Sequence, residues 1–553
     1  MLHISLPDGT TMEVQPGLPL LQLMSLINIR MRYPIVVAKV NNKVVDLYFR
    51  LHRDSTVEFI DLSSQEGVMA YYRSLTFVLA VAVTELMPRE VLVVDHSISK
   101  GLYCHFRREH PLSDRELHRL ETKMREIIGN DIGFIRHTFP ISRAIRMFEE
   151  GGQKDKARLL RTVSRKRVNV YSLGEDGPMN YFYGPLVPST GVLTLFKLQS
   201  YSPGFILRFP QVTDPTKLPE LRLQPRLFSI LQEHEEWGRI LRVEDASDLN
   251  QIITRNEIKE FIMIAEALHS AKIVKIADMI HRLREPQMAV LIAGPSCSGK
   301  TTFLKRLYIQ LRVHGFKPTM LSIDDYFVNR DQTPRDEKGH YDFESIEAID
   351  LELLNQHLLQ LMDGHEVIVP KFDFAAGCRL PSGTSLKLSP QGIILMEGIH
   401  CLNDQLTASL PSEKKYKIYV SALTHLNIDN HNRIPTSDMR LLRRIIRDMQ
   451  YRGYTPLDTV KRWSSVRAGE ERNIFPFQEE ANTMFNSALF YELSVLKAPA
   501  ERMLRASISR SEKEYSEARR LLKFMSYFRS TNPRPVPQTS ILREFIGHSA
   551  FTY

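Results

Sequence analysis

Hydrophobic and polar residues alternate along residues 1–60, in the runs HISLP, TMEV, IVVAKV, KVVDL and TVEFI. This two-residue period is typical of strands that bury one face. Asp8 and Gly9 favour a tight hairpin between the first two runs, and the run LPLLQLMSLI predicts one helix. We therefore expect a small β-rich domain over residues 1–62, with a helix packed across it.

The pattern over residues 65–210 mixes helical and strand periods. The segment SDRELHRLETKMREII has Ser113 at a helix N-cap position and Glu116 three residues later, which predicts a capping box. The runs VLVVDHS and GLYCHF predict paired strands, so we expect an α+β domain. Residues 211–286 begin with a proline-containing stretch and continue as mostly helical segments, which indicates a linker and a helical connector.

Short apolar runs alternate with helical segments from residue 288 onward. The runs are MAVLIAG, PTMLSID, EVIVPKFD, GIILMEG and KIYVSA, each bounded by polar or turn residues. This alternation predicts a parallel sheet with helices on both faces over residues 287–528. Residues 529–553 are expected to form a Pro-rich C-terminal tail, in which the stretch STNPRPVPQTS lacks regular structure. The whole chain is thus predicted to be a multidomain α/β and α+β protein.

The composition is that of an ordinary globular protein, with 553 residues, 43% hydrophobic and 25% charged. Four scattered cysteines without a CxxC pair favour a reducing compartment. The N-terminus does not resemble a signal peptide, and the apolar run from Leu75 meets Glu85 and Pro88 too soon to span a bilayer. We expect a cytoplasmic protein without membrane contact, and leave open whether it forms a homo-oligomer.

The segment AVLIAGPSCSGKTTFLKRL, Ala289 to Leu307, fits the phosphate-loop pattern G-x-x-x-x-G-K-[ST] between a predicted strand and a predicted helix. In this motif backbone N–H groups at a helix N-terminus surround phosphates, lysine reaches the β- and γ-phosphates, and the Ser/Thr hydroxyl ligates Mg²⁺. Lys300 and Thr301 take those two roles here. The expected nucleotide-binding residues are Gly294, Pro295, Ser296, Cys297, Ser298, Gly299, Lys300, Thr301 and Thr302.

Carboxylates follow two of the predicted strands. Asp324 and Asp325 follow PTMLSI, at the sheet edge where ligands bind in open α/β folds. One of them could accept the proton of a hydroxyl that attacks a γ-phosphoryl group; the alternatives are a turn cap or a water-mediated Mg²⁺ contact. Glu397, at the end of GIILME, is a second expected Mg²⁺ ligand.

Basic residues recur at helical spacing in DMRLLRRIIRDMQYRG. Arginines on a lid can stabilise the charge of a transferring phosphoryl group, whereas the alternative is an ordinary amphipathic helix. The spacing of three or four residues relates Arg440, Arg443, Arg444 and Arg447.

These four elements in this order resemble the uridine kinase and phosphoribulokinase group of P-loop kinases, over about residues 288–495. The resemblance implies that Asp324 is the catalytic base, assisted by Lys300, Arg443 and Arg447. YDFESIEAID is similar to the ribose-recognition segment, and KFDFAAGCR to the base-contacting segment, where Phe372 and Gly377 replace the usual tyrosine and histidine. The implied substrate-binding residues are Asp324, Tyr326, Glu347, Phe372, Arg379 and Arg440.

The N-terminal half resembles the front of threonyl-tRNA synthetases. Residues 1–62 are similar to a TGS domain and residues 65–210 to the editing domain, with GPLVPSTG at Gly184 the most specific match. The positions of the editing domain's metal ligands hold side chains unsuited to zinc, so metal-dependent deacylation is expected to be lost. Those positions are Tyr72, Thr76, Phe182 and Leu186.

The domain order, with the closing segment QTSILREFIG, resembles a bacterial group of fused nucleoside kinases. We expect an ATP- and Mg²⁺-dependent kinase whose acceptor is a small-molecule hydroxyl, first of all the 5′-OH of a nucleoside. The net charge of +9 suits phosphate-rich partners, so RNA or a regulatory ligand is expected at the N-terminal half. The alternative is a nucleotide-switched, RNA- or tRNA-associated regulatory protein; a free-standing tRNA editing enzyme conflicts with the missing metal ligands.

Overall fold

The computed structural model describes residues 1–108, 110–283, 287–335, 339, 341–373 and 376–552. The first domain is the expected β-rich unit, in which one helix buries Leu20 and Leu23 against a five-stranded mixed sheet of order β2-β1-β5-β3-β4. Its elements are β1 (Leu2–Ser5), β2 (Thr11–Val14), α1 (Leu20–Leu26), β3 (Ile35–Val40), β4 (Lys43–Val45) and β5 (Ser55–Asp61).

The second domain has the expected α+β character, with two antiparallel sheets of order β10-β9-β8 and β11-β12-β7-β6. The predicted capping box is present, since Ser113 and Glu116 bond each other's backbone N–H groups. The elements are α2 (Gln65–Leu86), β6 (Leu92–Ile98), β7 (Gly101–Phe106), α3 (Asp114–Gly129), β8 (Phe134–Pro140), α4 (Ile141–Glu150), α5 (Lys154–Thr162), β9 (Arg167–Leu173), β10 (Met179–Asn180), β11 (Lys197–Tyr201) and β12 (Gly204–Arg208).

Helix α2 contributes many of the buried side chains in the core of this domain. Within the described residues it alone is long and apolar enough to cross a membrane by length and composition, and 89% of its most apolar window is buried inside the protein. Three helices follow the linker as expected: α6 (Pro225–Leu241), α7 (Ala246–Thr254) and α8 (Ile258–Leu283).

The C-terminal half contains an all-parallel sheet of order β14-β19-β13-β20-β21. The strands and helices are β13 (Met288–Ala293), α9 (Lys300–Val313), β14 (Lys317–Ser322), α10 (Leu351–Met362), β15 (Glu366–Val369), β16 (Phe372–Asp373), β17 (Cys378–Arg379), β18 (Thr384–Lys387), β19 (Gly392–Glu397), β20 (Lys415–Ser421), α11 (Thr436–Tyr451), α12 (Pro456–Asn473), β21 (Thr483–Asn486), α13 (Glu492–Ser507), α14 (Tyr515–Met525) and α15 (Arg543–Ile546).

The central strand β13 is buried on both faces, and all six of its residues have no exposed surface. Met288, Val290 and Ile292 face the core formed with α8 and α9, whereas the alternate residues face the core formed with α10. This double burial explains why the strand reads as a continuous apolar run rather than an alternating one.

The prediction is wrong for one strand of this sheet. The run EVIVPKFD does not join it, because Glu366–Val369 pairs antiparallel with Thr384–Lys387 in a separate hairpin. Only one face of this strand is buried, which suits an excursion from the domain better than a central position. The fifth strand of the sheet is instead the short run TMFN, Thr483–Asn486, which the sequence pattern missed.

The C-terminal segment is packed against the kinase-like half. Its proline-containing part, residues 530–540, has neither helix nor strand, as expected. Ile541, Leu542 and Phe545 have no exposed surface, and Arg543 donates hydrogen bonds to the carbonyl groups of Pro533 and Val536. The segment therefore belongs to the folded core rather than hanging from it as a tail.

Replacing Phe545 with alanine tests this packing. Emptying a buried phenylalanine site costs about 3–5 kcal/mol, so Phe545→Ala should clearly lower the temperature of the calorimetric transition that includes the C-terminal half. Leu223→Ala is the matched control, because Leu223 is 71% exposed, and it should leave that transition in place. An unchanged transition in Phe545→Ala would show that the segment is not part of the core.

Candidate active site

The phosphate loop connects β13 to α9, in the strand–loop–helix context that the motif requires. Gly294 is needed because a Cβ atom there would lie 1.9 Å from the carbonyl oxygen of Val420. Gly299 is needed because its φ is +84°. Cys297 also has a positive φ, +59°, and is only 4% exposed, so it fills the interior of the loop.

Lys300 and Thr301 lie at the start of α9. The Lys300 ammonium donates to the carbonyl oxygens of Gly294, at 2.8 Å, and Pro295, at 3.2 Å. The Thr301 hydroxyl donates to Glu397 at 2.8 Å. Burial raises the pKa of Glu397, against the opposing effect of Lys300. Hydroxyl and carboxylate oxygens are suitable ligands for Mg²⁺, so Thr301 and Glu397 could hold this ion. The described residues contain no cluster of three or more His, Cys, Asp or Glu side chains able to hold a metal.

The two aspartates after β14 differ in their surroundings. Asp324 is exposed at the carboxyl end of the sheet, in a short 3-10 turn that follows Ser322, the residue paired with Glu397. The surrounding protein removes water from its carboxylate, which raises its pKa, and the charge of Asp325 raises it further. Lys300 and Arg452 lower the pKa, and the net shift is upward. Asp325 instead accepts a hydrogen bond from the backbone N–H of Phe372, at 3.4 Å. Asp324 is therefore the better placed of the two to meet a substrate.

Two of the expected substrate-binding side chains make hydrogen bonds within the protein. Tyr326 has no exposed surface and bonds His357 at 3.0 Å. Arg379 donates to the carbonyl oxygens of Tyr326 and Phe327, each at 3.1 Å, and pairs with Asp350 at 3.0 Å. The burial of Tyr326 corrects the expectation for that residue, whereas Arg379 is half-buried and its contact with a substrate stays a prediction.

Two more of the six expected substrate residues, Phe372 and Glu347, lie in different settings. Phe372 is half-buried, and its ring centroid lies 5.8 Å from that of Phe327. Glu347 is exposed and bonds the hydroxyl of Ser345. Residues 374 and 375 of the base-contacting segment lie outside the described residues.

Two charged residues that the sequence patterns did not single out share the electrostatic environment of the site. Glu344 lies in the segment that also contains Glu347; burial and Glu470 raise its pKa, and Lys300 and Arg444 oppose the rise. The charge of Arg452, at the end of α11, acts on Asp324. Arg452 precedes Gly453, at the end of the arginine-containing helix. Its place in the same basic segment is the sequence feature that could have identified it as a site residue.

Two arginines of α11 hold the phosphate loop from its protein side. Arg440 pairs with Glu470 and donates to the carbonyl oxygen of Ser296 at 3.2 Å, while Glu470 accepts the N–H of Ser296 at 3.0 Å. Arg443 has no exposed surface; it pairs with Glu492 at 2.6 Å and donates to the carbonyl oxygen of Cys297 at 3.3 Å. The expectation that Arg440 and Arg443 lie on a lid or contact substrate is therefore wrong, because buried partners occupy their guanidinium groups.

The remaining two arginines of this helix are less enclosed. Arg444 donates to the hydroxyl of Ser296 at 2.8 Å. Arg447, with 14% of its side chain exposed, bonds Asp448 at 2.7 Å. Arg447 thus stays a candidate for contact with a transferring phosphoryl group.

Residues 289–489 match the Phosphoribulokinase / Uridine kinase family. These residues form a P-loop kinase domain of that family. Among solved structures, the chain is similar to a candidate uridine kinase from Bacillus stearothermophilus (19% identity, 38% of this chain, 97% of that one, TM-score 0.26). It is also similar to D-glycerate 3-kinase from Cryptococcus neoformans (15% identity, 46% and 86%, TM-score 0.21).

The N-terminal region is similar to the N-terminal part of threonine–tRNA ligases. The chain is 29% identical over 206 residues to the ligase of Symbiobacterium thermophilum and 32% identical over 206 residues to that of Desulforamulus reducens. Each match covers 37% of this chain, and the chain spans about a third of the length of these relatives.

The C-terminal segment contacts the phosphate loop of the kinase domain. Glu544 accepts a hydrogen bond from the hydroxyl of Thr302 at 2.7 Å, and its charge contributes to the raised pKa of Glu397. The ring of Phe545 lies 5.0 Å from the guanidinium carbon of Arg443. The segment QTSILREFIG thus places a carboxylate beside an anion-binding loop, a role that its sequence alone did not indicate.

Replacing Glu544 with glutamine should strengthen ATP binding. The substitution keeps the shape but removes a negative charge beside the loop, and about 1.4 kcal/mol of lost repulsion corresponds to about tenfold lower Kd. Isothermal titration with ATP measures the change, and Glu501→Gln on α13, where Glu501 lies 4.0 Å from Lys497, is the control. Weaker ATP binding in Glu544→Gln would mean that this carboxylate contacts the nucleotide favourably.

Proposed function

We propose that the chain is an ATP-dependent kinase that transfers the γ-phosphoryl group to a small-molecule hydroxyl, first of all the 5′-OH of a nucleoside. One observation carries the proposal: the Asp324 carboxylate is exposed at the carboxyl end of the parallel sheet, and the charge of Lys300 in the phosphate loop acts on its pKa. A protein that only binds and hydrolyses a nucleotide as a switch does not need an exposed base for a second substrate beside its phosphate loop.

In this reaction backbone N–H groups of the phosphate loop and of the start of α9 would hold the phosphates of ATP, other than the N–H of Ser296, which Glu470 accepts, and Lys300 neutralises charge at the β- and γ-phosphates. Thr301 and Glu397 would hold Mg²⁺, which supplies further charge neutralisation. Asp324 accepts the hydroxyl proton as the acceptor oxygen bonds to the γ-phosphorus and the bond to the β-phosphate oxygen breaks. ADP leaves with the electron pair of that bond, and Arg447 and Arg452 are placed to offset charge during transfer.

The residues expected to contact the acceptor favour a polyhydroxyl compound, but they do not identify a nucleobase. Glu344 adds a carboxylate close to Lys300, and carboxylates are suitable partners for hydroxyl donors. Gly377 has a φ of +73°, and a Cβ atom there would lie 2.6 Å from the Arg330 guanidinium, so a histidine at this position would need a strained backbone and a shifted Arg330 side chain. The acceptor search must therefore extend beyond uridine and cytidine.

The second candidate function is a nucleotide-switched, RNA-associated regulator, favoured by the similarity of the N-terminal region to threonine–tRNA ligases. Measuring ADP formation from ATP against nucleosides, pentose phosphates and other hydroxyl compounds separates the two functions. Acceptor-dependent ADP formation that Lys300→Ala abolishes supports the kinase. ATP hydrolysis that no acceptor stimulates, but RNA does, supports the regulator.

Asparagine variants of the two aspartates test the base. Asp324→Asn keeps the shape but cannot take a proton, and the loss of a general base typically lowers the rate by about 10²–10⁴-fold. We expect that fall in kcat with the identified acceptor, with little change in Kd for ATP. Asp325→Asn should cost distinctly less, since Asp325 bonds the backbone of Phe372. Equal losses would indicate a shared metal role, and a larger loss in Asp325→Asn would reverse the assignment.

The pH dependence of kcat tests the same role. The base works only when ionised, and the pKa of Asp324 is raised above its ordinary value of 3.8. Activity should therefore be complete well above the raised pKa and fall as the pH drops through it, so that the acid limb lies above pH 3.8. An acid limb that persists unchanged in the residual activity of Asp324→Asn would assign it to another group.

A further inference from the structure

Histidines from three parts of the chain meet where the editing-like domain contacts the kinase domain. His96 belongs to β6, His425 to the kinase loop between β20 and α11, and His234 to helix α6. The ring centroids of His96 and His425 lie 5.1 Å apart. The centroid of the Phe490 ring lies 6.0 Å from that of His425 and 6.1 Å from that of His234. His96, His234 and His425 thus form one packed cluster, the histidine junction.

An irregularity in the pairing of β6 with β7 brings two neighbouring side chains to the kinase loop. The register shifts between Val94 and Ser97, and the two residues inside this shift, Asp95 and His96, are both buried, whereas side chains of a regular strand alternate between its faces. Asp95 accepts a hydrogen bond from Asn427 of the kinase loop at 2.8 Å. The histidine junction is therefore built into the contact between the two domains.

A cavity of about 10 Å³ is lined by His234 and His425 and has room for about one water molecule. In the part of the chain that the structure describes, Nε2 of His234, Nδ1 of His425 and Oγ1 of Thr424 are buried without a hydrogen-bond partner. An imidazolium donates from both of its ring nitrogens. A proton added to either of these nitrogens would therefore find no protein acceptor, although a water molecule in the cavity could deliver it.

The carboxylates that act on the histidine junction already have partners. Asp95 accepts a hydrogen bond from His105 at 2.9 Å, and Glu235 pairs with Arg239 at 2.6 Å. The other titratable and charged groups that act on the three imidazoles are His105 from β7, Arg433 from the kinase loop, Arg239 from α6, and Lys272 and His269 from α8. Further positive charge in the junction would be repelled rather than neutralised.

Burial keeps the three imidazoles neutral. It lowers the pKa of His96 to about 3, against the charge of Asp95, and it also lowers the pKa values of His234 and His425. In an open junction each imidazole would return toward its ordinary pKa of 6.5. The open form then binds more protons than the closed form below that pH. The closed form is fully favoured above it, and loses up to about tenfold in its equilibrium constant per imidazole for each pH unit below it.

We propose that the histidine junction is a pH-sensitive switch, which holds the editing-like domain, the kinase loop and helix α6 together while its three imidazoles are neutral and releases them in acid. The kinase loop, residues 422–435, leads directly into α11, whose Arg440 and Arg443 bond the phosphate loop. Opening of the junction therefore acts on the support of the nucleotide site. The switch does not depend on the identity of the acceptor and would stand if the proposed acceptor were wrong.

Hydrogen–deuterium exchange of the full-length protein from about pH 7.5 to about pH 5.5, corrected for the intrinsic pH dependence of amide exchange, tests the switch. Opening measured on peptides from residues 92–106 and 422–435 should increase at least about tenfold over this range, whereas peptides from β13 should stay protected. The double variant His96→Phe, His425→Phe keeps aromatic packing but takes no proton there, so most of the increase should be lost. His118→Gln, at an exposed position on α3, is the control and should behave like the wild type.

Three results of the exchange experiment would overturn the switch. One is opening that does not change with pH, and another is opening that increases equally in the double variant. The third is a loss of protection in β13 at the same pH as in the junction, which would show that acid unfolds the kinase domain as a whole.

Tryptophan fluorescence gives a second measurement that does not need the double variant. The ring centroid of His234 lies 4.3 Å from that of Trp237, and a protonated imidazole quenches a neighbouring indole. Trp463→Phe leaves Trp237 as the only tryptophan. Its emission should fall in acid with a midpoint below pH 6.5, the ordinary pKa of histidine, and adding His234→Gln should remove this fall. Emission that stays constant, or that falls equally in both proteins, contradicts the switch.

Discussion

The backbone of the phosphate loop sets the main constraint on the C-terminal half. Its N–H groups can point toward an anion only if its carbonyl groups turn toward the protein, where they need donors. Buried arginines of α11 provide these donors, and each arginine needs its own carboxylate because an unpaired buried guanidinium is strongly destabilising. The bonds involved join Arg440 to Ser296 and Glu470, Arg443 to Cys297 and Glu492, and Ser487 to Ser298. The arrangement of α11, α12 and α13 follows from this requirement.

The same helix connects the loop to the N-terminal half. Helix α11 begins shortly after Asn427 and Asn432, which donate hydrogen bonds to the editing-like domain, and Asp438 in its first turn pairs with Arg520 of α14. A displacement of residues 427–433 would thus act on the start of a rigid helix whose next turns hold the phosphate loop. The two halves are joined by packed side chains and hydrogen bonds rather than by a flexible linker alone. A structural change in the editing-like domain therefore has a physical route to the nucleotide site.

Local patterns predicted the parts of the molecule that local forces determine. The phosphate loop, the capping box at Ser113 and four strands of the parallel sheet follow from short segments read by period and turn residues. The burial of Arg443 could not be predicted in this way, because its partner Glu492 lies 49 residues away and helical spacing does not say which face meets solvent. The contact between Thr302 and Glu544 spans 242 residues, and nothing in the Pro-rich segment indicates its partner.

Negative charge is concentrated around the start of α9, and this limits how a nucleotide can bind. Glu397 accepts a hydrogen bond from Thr301, Glu544 accepts one from Thr302, and the charge of Asp324 acts on Glu397. Lys300 is the cation that lowers the pKa values of both Asp324 and Glu397. Both Glu544 and Asp324 contribute to the raised pKa of Glu397, so the existing carboxylates already repel one another. A triphosphate adds several further negative charges to this region. We infer that it binds most favourably together with a divalent cation, which offsets the carboxylates and the phosphates at once.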